Sequence, residues 1–129
     1  MFYDLVKFNV KSDQRGCLTI IDGIDNLPFE PKRLFYVHNP TGLRGGHAHR
    51  KTIQLIFSLA GQLDIKLDNG KASKLINLNN PHEGILIHPM VWSEQLNFSD
   101  NCIYAVLAST SFDEKDYIRN REEFDRLSK

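Results

Sequence analysis

The chain has few of the features that would assign it to a class at once. Its 129 residues hold two cysteines, one tryptophan and two methionines, and formal charge sums to zero at neutral pH. Cys17 and Cys102 form no CxxC pair, so neither a thiolate metal cluster nor a paired redox motif is available. Both lie in strand-like runs and read as buried, reduced thiols of a cytoplasmic protein. Without net charge or a basic block there is no footprint for nucleic acid. The longest apolar runs, "CIYAVLA" and "LIFSLA", fall far short of the roughly 20 residues that a membrane helix needs. The start, "MFYDLVKFNV", lacks the charged and then apolar order of a signal peptide. No internal repeat, linker or low-complexity tract divides the chain, so residues 1–129 read as one domain.

What is present is a series of about ten short apolar, β-branched runs separated by turn residues. "YDLVKF" leads through the polar "KSDQRG" to "CLTIID", and "KRLFYVH" through "NPTGLRGG" to "HAH". In "QLDIKLDNGKASKLINL", Leu63, Ile65 and Leu67 alternate with Gln62, Asp64 and Lys66, and "DNG" signals a tight hairpin. "GILIHP", "VWSEQLNF" and "CIYAVLAS" complete the set. Only the tail, "SFDEKDYIRNREEFDRLSK", reads as helical, with capping spacings at Ser111/Glu114 and Asn120/Glu123. The pattern predicts an all-β antiparallel sandwich or barrel with a short C-terminal helical tail. The mouth of such a barrel is a usual place for a small-molecule site.

The chemistry concentrates in "RGGHAHRKTIQLIFSLAG". His47 and His49 alternate on an extended chain and so share a face. His47-x-His49, Gln54 and Gly61 follow the spacing of the first cupin motif, in which metal-binding members carry Glu where this chain has Gln54. After Pro89, where another ligand is expected, stand Ser93 and Glu94. Two histidines are a poor metal site, since a catalytic divalent ion wants three protein ligands. Glu94 or His88 would have to complete it. Without a metal, two imidazoles suit proton removal beside a carbonyl, with positive charge nearby for the enolate. Arg44 offers such a charge, or a grip on phosphate. Tyr36 offers a hydroxyl to a sugar oxygen, or else an aromatic core residue. The glycines of "RGG" allow a close backbone approach, or an ordinary turn. Arg15 suits a diphosphate, and Arg33, Gln54 and Glu94 are further polar candidates. Trp92 suits either a ligand face or the core. His38 and His82 carry no assignment.

An ordered series of segments then points to a family. "RG" at 15–16, "LPF" at 27–29, "KRLFYV" at 32–37, "RGGHAHRK" at 44–51, Gln54, "VW" at 91–92 and "VLASTSFDEKDYIR" at 106–119 span nearly the whole chain. Together they resemble the WxcM-like cupin sugar 3,4-ketoisomerases acting on dTDP-4-dehydro-6-deoxy-D-glucose. The resemblance implies a jelly-roll barrel without metal or cofactor, and a homodimer with exchanged N-terminal strands. It implies isomerisation to a dTDP-3-dehydro-6-deoxyhexose through an enediol, on the way to a 3-amino-3,6-dideoxyhexose of a surface glycan. Carried over by position, His47 and His49 become the acid–base pair, with His47 as proton abstractor and His49 as relay. Tyr36 joins them near the C4 oxygen. Arg15, Arg33, Arg44, Gln54, Trp92 and Glu94 become substrate-binding residues. Two departures stand out: the family usually reads "WHE" where this chain has Trp92-Ser93-Glu94, and a tyrosine where it has Phe35. The alternatives are a 3,5-epimerase of the same substrate, a non-catalytic nucleotide-sugar-binding cupin and a metal-dependent cupin enzyme.

Overall fold

The computed structural model describes residues 2–23 and 27–129. Its strands are β1 (Tyr3–Lys7), β2 (Asn9–Asp13), β3 (Gly16–Ile20), β4 (Arg33–His38), β5 (Arg44–His49) and β6 (Gln54–Ala60). They continue with β7 (Leu63–Asp68), β8 (Ser73–Leu78), β9 (Glu83–Ile87), β10 (Trp92–Leu96) and β11 (Ile103–Ala108). A 3₁₀ turn (Glu114–Asp116), the short β12 (Tyr117–Ile118) and helix α1 (Arg121–Leu127) end the chain. Two five-stranded antiparallel sheets, β1-β9-β6-β11-β4 and β12-β5-β10-β7-β8, enclose one core, and β2-β3 forms a separate hairpin. No helix among the described residues is long and apolar enough to cross a membrane.

Period-two patterning builds the core. Leu63, Ile65 and Leu67 are wholly buried while Asp64 and Lys66 keep contact with water. They meet Ile56, Ile85 and Val106 from the opposite sheet, as the two inner faces of a sandwich must. The first sheet is also covered outside, where Leu55, Phe57, Leu86 and Ala105 pack with Phe8 and Leu27. The "DNG" hairpin forms, but with a longer loop than the tight turn expected. Asp68 pairs with Ser73, and Asn69 Oδ1 accepts from the amides of Lys71 and Ala72 at 2.9 and 2.8 Å.

The structure adds two strands to the ten expected. β2 arises in "NVKSD", is exposed throughout and pairs only with β3, so no buried face marks it in the sequence. Cys17 lies on this hairpin and is exposed, contrary to expectation, whereas Cys102 is buried; both are free. The tail is only partly helical. Asn120 caps α1 by accepting from the Glu123 amide at 2.9 Å, as its spacing predicts. The first turn is capped instead by Asp113, which accepts from the Lys115 amide at 3.0 Å. The segment between them is extended because β12 pairs with β5, Tyr117 opposite His49 and Ile118 opposite Ala48.

The "RGG" glycines belong to a strand and not to a plain loop, and Gly45 also lines the cavity beside His47. Gly45 and Gly46 lie in β5 with φ of +80° and +77°, values that favour glycine. A Cβ on Gly45 would stand 2.8 Å from the Ser93 carbonyl oxygen and from Gln95 Oε1. The β5–β10 ladder shifts register between Ser93 and Glu94. The glycine therefore lets β10 approach the histidine strand at a bulge.

Candidate active site

Alternation along β5 sends Ala48 outward, beneath α1, and turns His47 and His49 inward. Their rings are 5.2 Å apart and nearly perpendicular, at 88°. β12 adds Tyr117, whose ring lies 4.9 Å from His47 and 4.4 Å from His49. Arg33, at the start of β4, donates through Nη1 to the Tyr117 hydroxyl at 3.2 Å. On the other side of Tyr117, Arg119 stacks at 4.2 Å and pairs with Glu114 at 2.7 Å. The cavity beyond His47 is lined by Phe35, Arg44, Gln54, Gln95 and Tyr104, among others.

Three side-chain nitrogens among the described residues are buried without a hydrogen-bond partner: Arg33 Nε, His47 Nδ1 and His49 Nε2. Native proteins pair such atoms nearly always, and each exception calls for an explanation, a catalytic role among them. All three here belong to one cluster. His49 differs from His47 in having a carboxylate behind it, with Nδ1 2.9 Å from Asp116 Oδ2. Burial pushes the His47 imidazole down to about 4, helped by the nearby positive charges of His49 and Arg119. His49 is also lowered, chiefly by burial, although Asp116 opposes the shift. Both rings are therefore neutral at pH 7 and able to accept a proton.

Of the residues singled out in the sequence, the fold gathers His47, His49, Arg33, Arg44 and Gln54. It does not bring the others to this chain's cavity. Tyr36 lies on the outer face of β4 and is 61% exposed, because Phe35 and Val37 take the inward positions. Trp92 and Glu94 face outward on β10, where the indole N–H donates to Glu94 Oε2 at 3.2 Å. Trp92 packs with Ala48, Ile118 and Phe124 under α1. Ser93 and Gln95 hold the inward positions, joined by a 2.8 Å hydrogen bond, and Ser93 stands opposite His47 in the ladder. Arg15, on the β2–β3 hairpin, pairs with Asp13 at 2.7 Å on the exposed surface.

The cluster also contains residues that the sequence reading passed over: Asp116, Tyr117 and Arg119. They sit inside the quoted "DYIR", but a helical reading of the tail hid their convergence on β5. The available signal was chemical, since an aspartate that becomes buried must find donors.

The donor set does not suit a metal. Gln54 is neutral, Glu94 points away, and His88 is held by Asp4 at 2.8 Å. Among the described residues no group of three or more His, Cys, Asp or Glu is arranged to hold an ion.

Comparison with known proteins agrees with this geometry. Residues 1–129 match the FdtA family, described as WxcM-like, C-terminal. The TDP-4-oxo-6-deoxy-alpha-D-glucose-3,4-oxoisomerase of Aneurinibacillus thermoaerophilus is 38% identical over 122 residues, covering 93% of this chain and 88% of that protein. A 3,4-ketoisomerase from Helicobacter canadensis superposes with a TM-score of 0.95 at 36% identity, covering 99% and 98% of the two chains. The sugar 3,4-ketoisomerase QdtA from Thermoanaerobacterium thermosaccharolyticum, solved in complex with TDP, gives 0.95 at 37% identity over 98% and 94%. With its inward histidine pair on a jelly-roll barrel and its match along the whole length, this chain belongs to the FdtA (WxcM-like) family, whose relatives here are sugar 3,4-ketoisomerases.

Proposed function

We propose that this protein is a sugar-nucleotide 3,4-ketoisomerase acting on TDP-4-keto-6-deoxyglucose. The carrying observation is the histidine pair: two inward-facing neutral imidazoles 5.2 Å apart, with His47 Nδ1 and His49 Nε2 both without a partner among the described residues. One imidazole of the pair removes the proton from C3, which the neighbouring C4 carbonyl acidifies. The C3 electron pair becomes the C3–C4 double bond and charge collects on O4. Arg33, whose Nε lacks a partner, supplies positive charge beside it. O4 gains a proton, the O3 hydroxyl loses one, and a proton returned to C4 leaves the ketone at C3. The other imidazole completes the relay: Asp116 is bonded to His49, and Glu114 lies close enough to His47 to oppose the lowering of its ring. The assay is proton NMR of TDP-4-keto-6-deoxyglucose incubated with the protein in deuterated buffer. A 3-keto product supports isomerisation. Inversion at C3 and C5 would instead identify an epimerase, and binding without turnover a non-catalytic module.

Acid dependence follows from the lowered imidazoles. The active form is the neutral ring, and burial keeps it neutral below the ordinary histidine value of 6.5. The groups facing the pair are Asp116 and Glu114, which oppose the shift, and Arg33 and Arg119, which favour it. Thus kcat/KM is expected to fall on acidification with a midpoint below 6.5. A midpoint at or above 6.5 would contradict a buried neutral base.

The same reading includes a homodimer. β1 is bound to β9 within its own chain, so the β2–β3 hairpin is the element available for exchange. Val10 and Leu18 on that hairpin, and Leu5, Leu34 and Tyr36 on β1 and β4, are exposed. A second copy would cover them and bring Arg15 or Tyr36 to a shared substrate site. Sedimentation at twice the monomer mass is the expected result, and a monomer at micromolar concentration would contradict it.

A further inference from the structure

Among the described residues that line the cavity beyond His47, Tyr104 alone carries a phenol. It lies on β11, where Tyr104 and Val106 join the barrel core while Ala105 packs outside. Tyr104 stands opposite Val37 of β4 and Ser58 of β6. Its ring is stacked on Phe98, with centroids 5.9 Å apart and planes at 1°. Only 2% of the residue is exposed, so the hydroxyl is held where the packed ring puts it. Phe35, on the neighbouring strand, lines the same cavity without a hydroxyl.

A buried phenol needs a hydrogen-bond partner. Here it is the Arg44 guanidinium, which meets the hydroxyl from β5. Burial raises the phenol above its usual range although Arg44 opposes the rise, so the hydroxyl keeps its hydrogen at pH 7. A guanidinium only donates. The phenol oxygen must therefore accept from Arg44, and its own hydrogen points away from the arginine. No carboxylate among the described residues lines this cavity to take it. A second pair of the same kind sits by His49, where Arg33 donates to the Tyr117 hydroxyl at 3.2 Å. Arg33 stands opposite Ala108 on β11, which puts the two pairs about 13 Å apart along the strands.

We infer that Tyr104 is a substrate-binding residue: its hydroxyl, aligned by Arg44, donates to an oxygen of the keto sugar and orients the C3–C4 edge against the histidine pair. This rests on the ketoisomerase reading for the identity of the sugar. The diphosphate offers oxygens too, but its charge suits the exposed Arg44, whereas a phenol this deep suits a neutral oxygen that can leave water cheaply.

The test is Tyr104→Phe, which removes one oxygen and keeps the ring against Phe98. Calorimetry compares TDP with TDP-6-deoxyglucose, which carries the sugar but no ketone to react. The sugar nucleotide is expected to bind about tenfold more weakly to the variant, the loss of one hydrogen bond, while TDP stays within about twofold. For the keto substrate, kcat/KM should fall at least tenfold. In an Arg44→Gln background the hydroxyl is no longer aligned, so Tyr104→Phe should then cost about threefold or less. Equal losses for TDP and TDP-6-deoxyglucose, or no loss for either, would overturn the inference. A tenfold cost that persists in Arg44→Gln would overturn the part given to Arg44. Wild-type turnover is measured alongside. Its absence would overturn the ketoisomerase reading, while the ratio of the two affinities still decides whether Tyr104 holds the sugar.

Discussion

Replacing His49 by Asn is expected to lower kcat by about a thousandfold, a loss of roughly 4 kcal/mol in transition-state stabilisation. Asn keeps a donor for Asp116 Oδ2, so the buried carboxylate is not abandoned. It has no basic nitrogen, so the C3 proton has no acceptor at that place. TDP affinity should change little, since the side chain meets the substrate at the reacting carbons and not at the diphosphate. His47→Asn is expected to lower kcat at least as far, because its neutral ring has a buried nitrogen with no partner among the described residues in the same cluster. Single-turnover NMR assays of both variants decide the order. If His47→Asn abolishes turnover and His49→Asn keeps a tenth or more of it, His47 is the base.

The histidine pair was legible because alternation on a strand needs no tertiary information, and so was the buried Leu63-Ile65-Leu67 row. Tyr36 shows where such reading stops. In "RLFYVH" both parities are apolar, Leu34 with Tyr36 and Phe35 with Val37, so the sequence does not say which pair faces the cavity. Leu34 and Tyr36 are 61% exposed, and an apolar outer face is what a covering partner requires. β10 poses the same problem: Trp92 with Glu94 and Ser93 with Gln95 each mix a bulky or polar residue with a functional one. There the outward parity is decided by α1, which covers Trp92 from a distant part of the chain. Asp116 was hidden for another reason. "FDEKDYIR" is locally polar, and only its pairing with β5 reveals which acid is taken out of water. The resemblance supplied this segment as part of an ordered series, but its chemistry became readable only once His49 lay beside it.

That dependence of the site on the tail makes Phe124→Ala a damaging change outside the cavity. Phe124 is wholly buried and its ring lies 5.5 Å from Trp92. With Ala48 and Ile118 these two rings form a small core separate from the barrel interior. α1 is only seven residues long, too short to hold itself by helix propensity. Its docking rests on this one large buried side chain, with the Asn120 cap and the more exposed Arg121–Asp68 and Arg50–Glu123 pairs around it. Truncating Phe124 is expected to cost about 3–5 kcal/mol, seen as a melting temperature lower by roughly 10–20 °C for a chain of this size. Leu127→Ala is the control, since Leu127 is 45% exposed, and it should stay within about 0.5 kcal/mol. The loss should also reach the chemistry. Ile118 and Tyr117 pair with Ala48 and His49, and Asp116 immediately precedes them. Loosening α1 frees β12, and with it the carboxylate and the Tyr117 ring that hold the imidazole. At a temperature where the variant is folded, kcat should fall while TDP binding persists. A variant that melts within about 3 °C of wild type would show that the tail is not anchored by Phe124. One that melts early yet turns over normally when folded would show that His49 keeps its orientation without it.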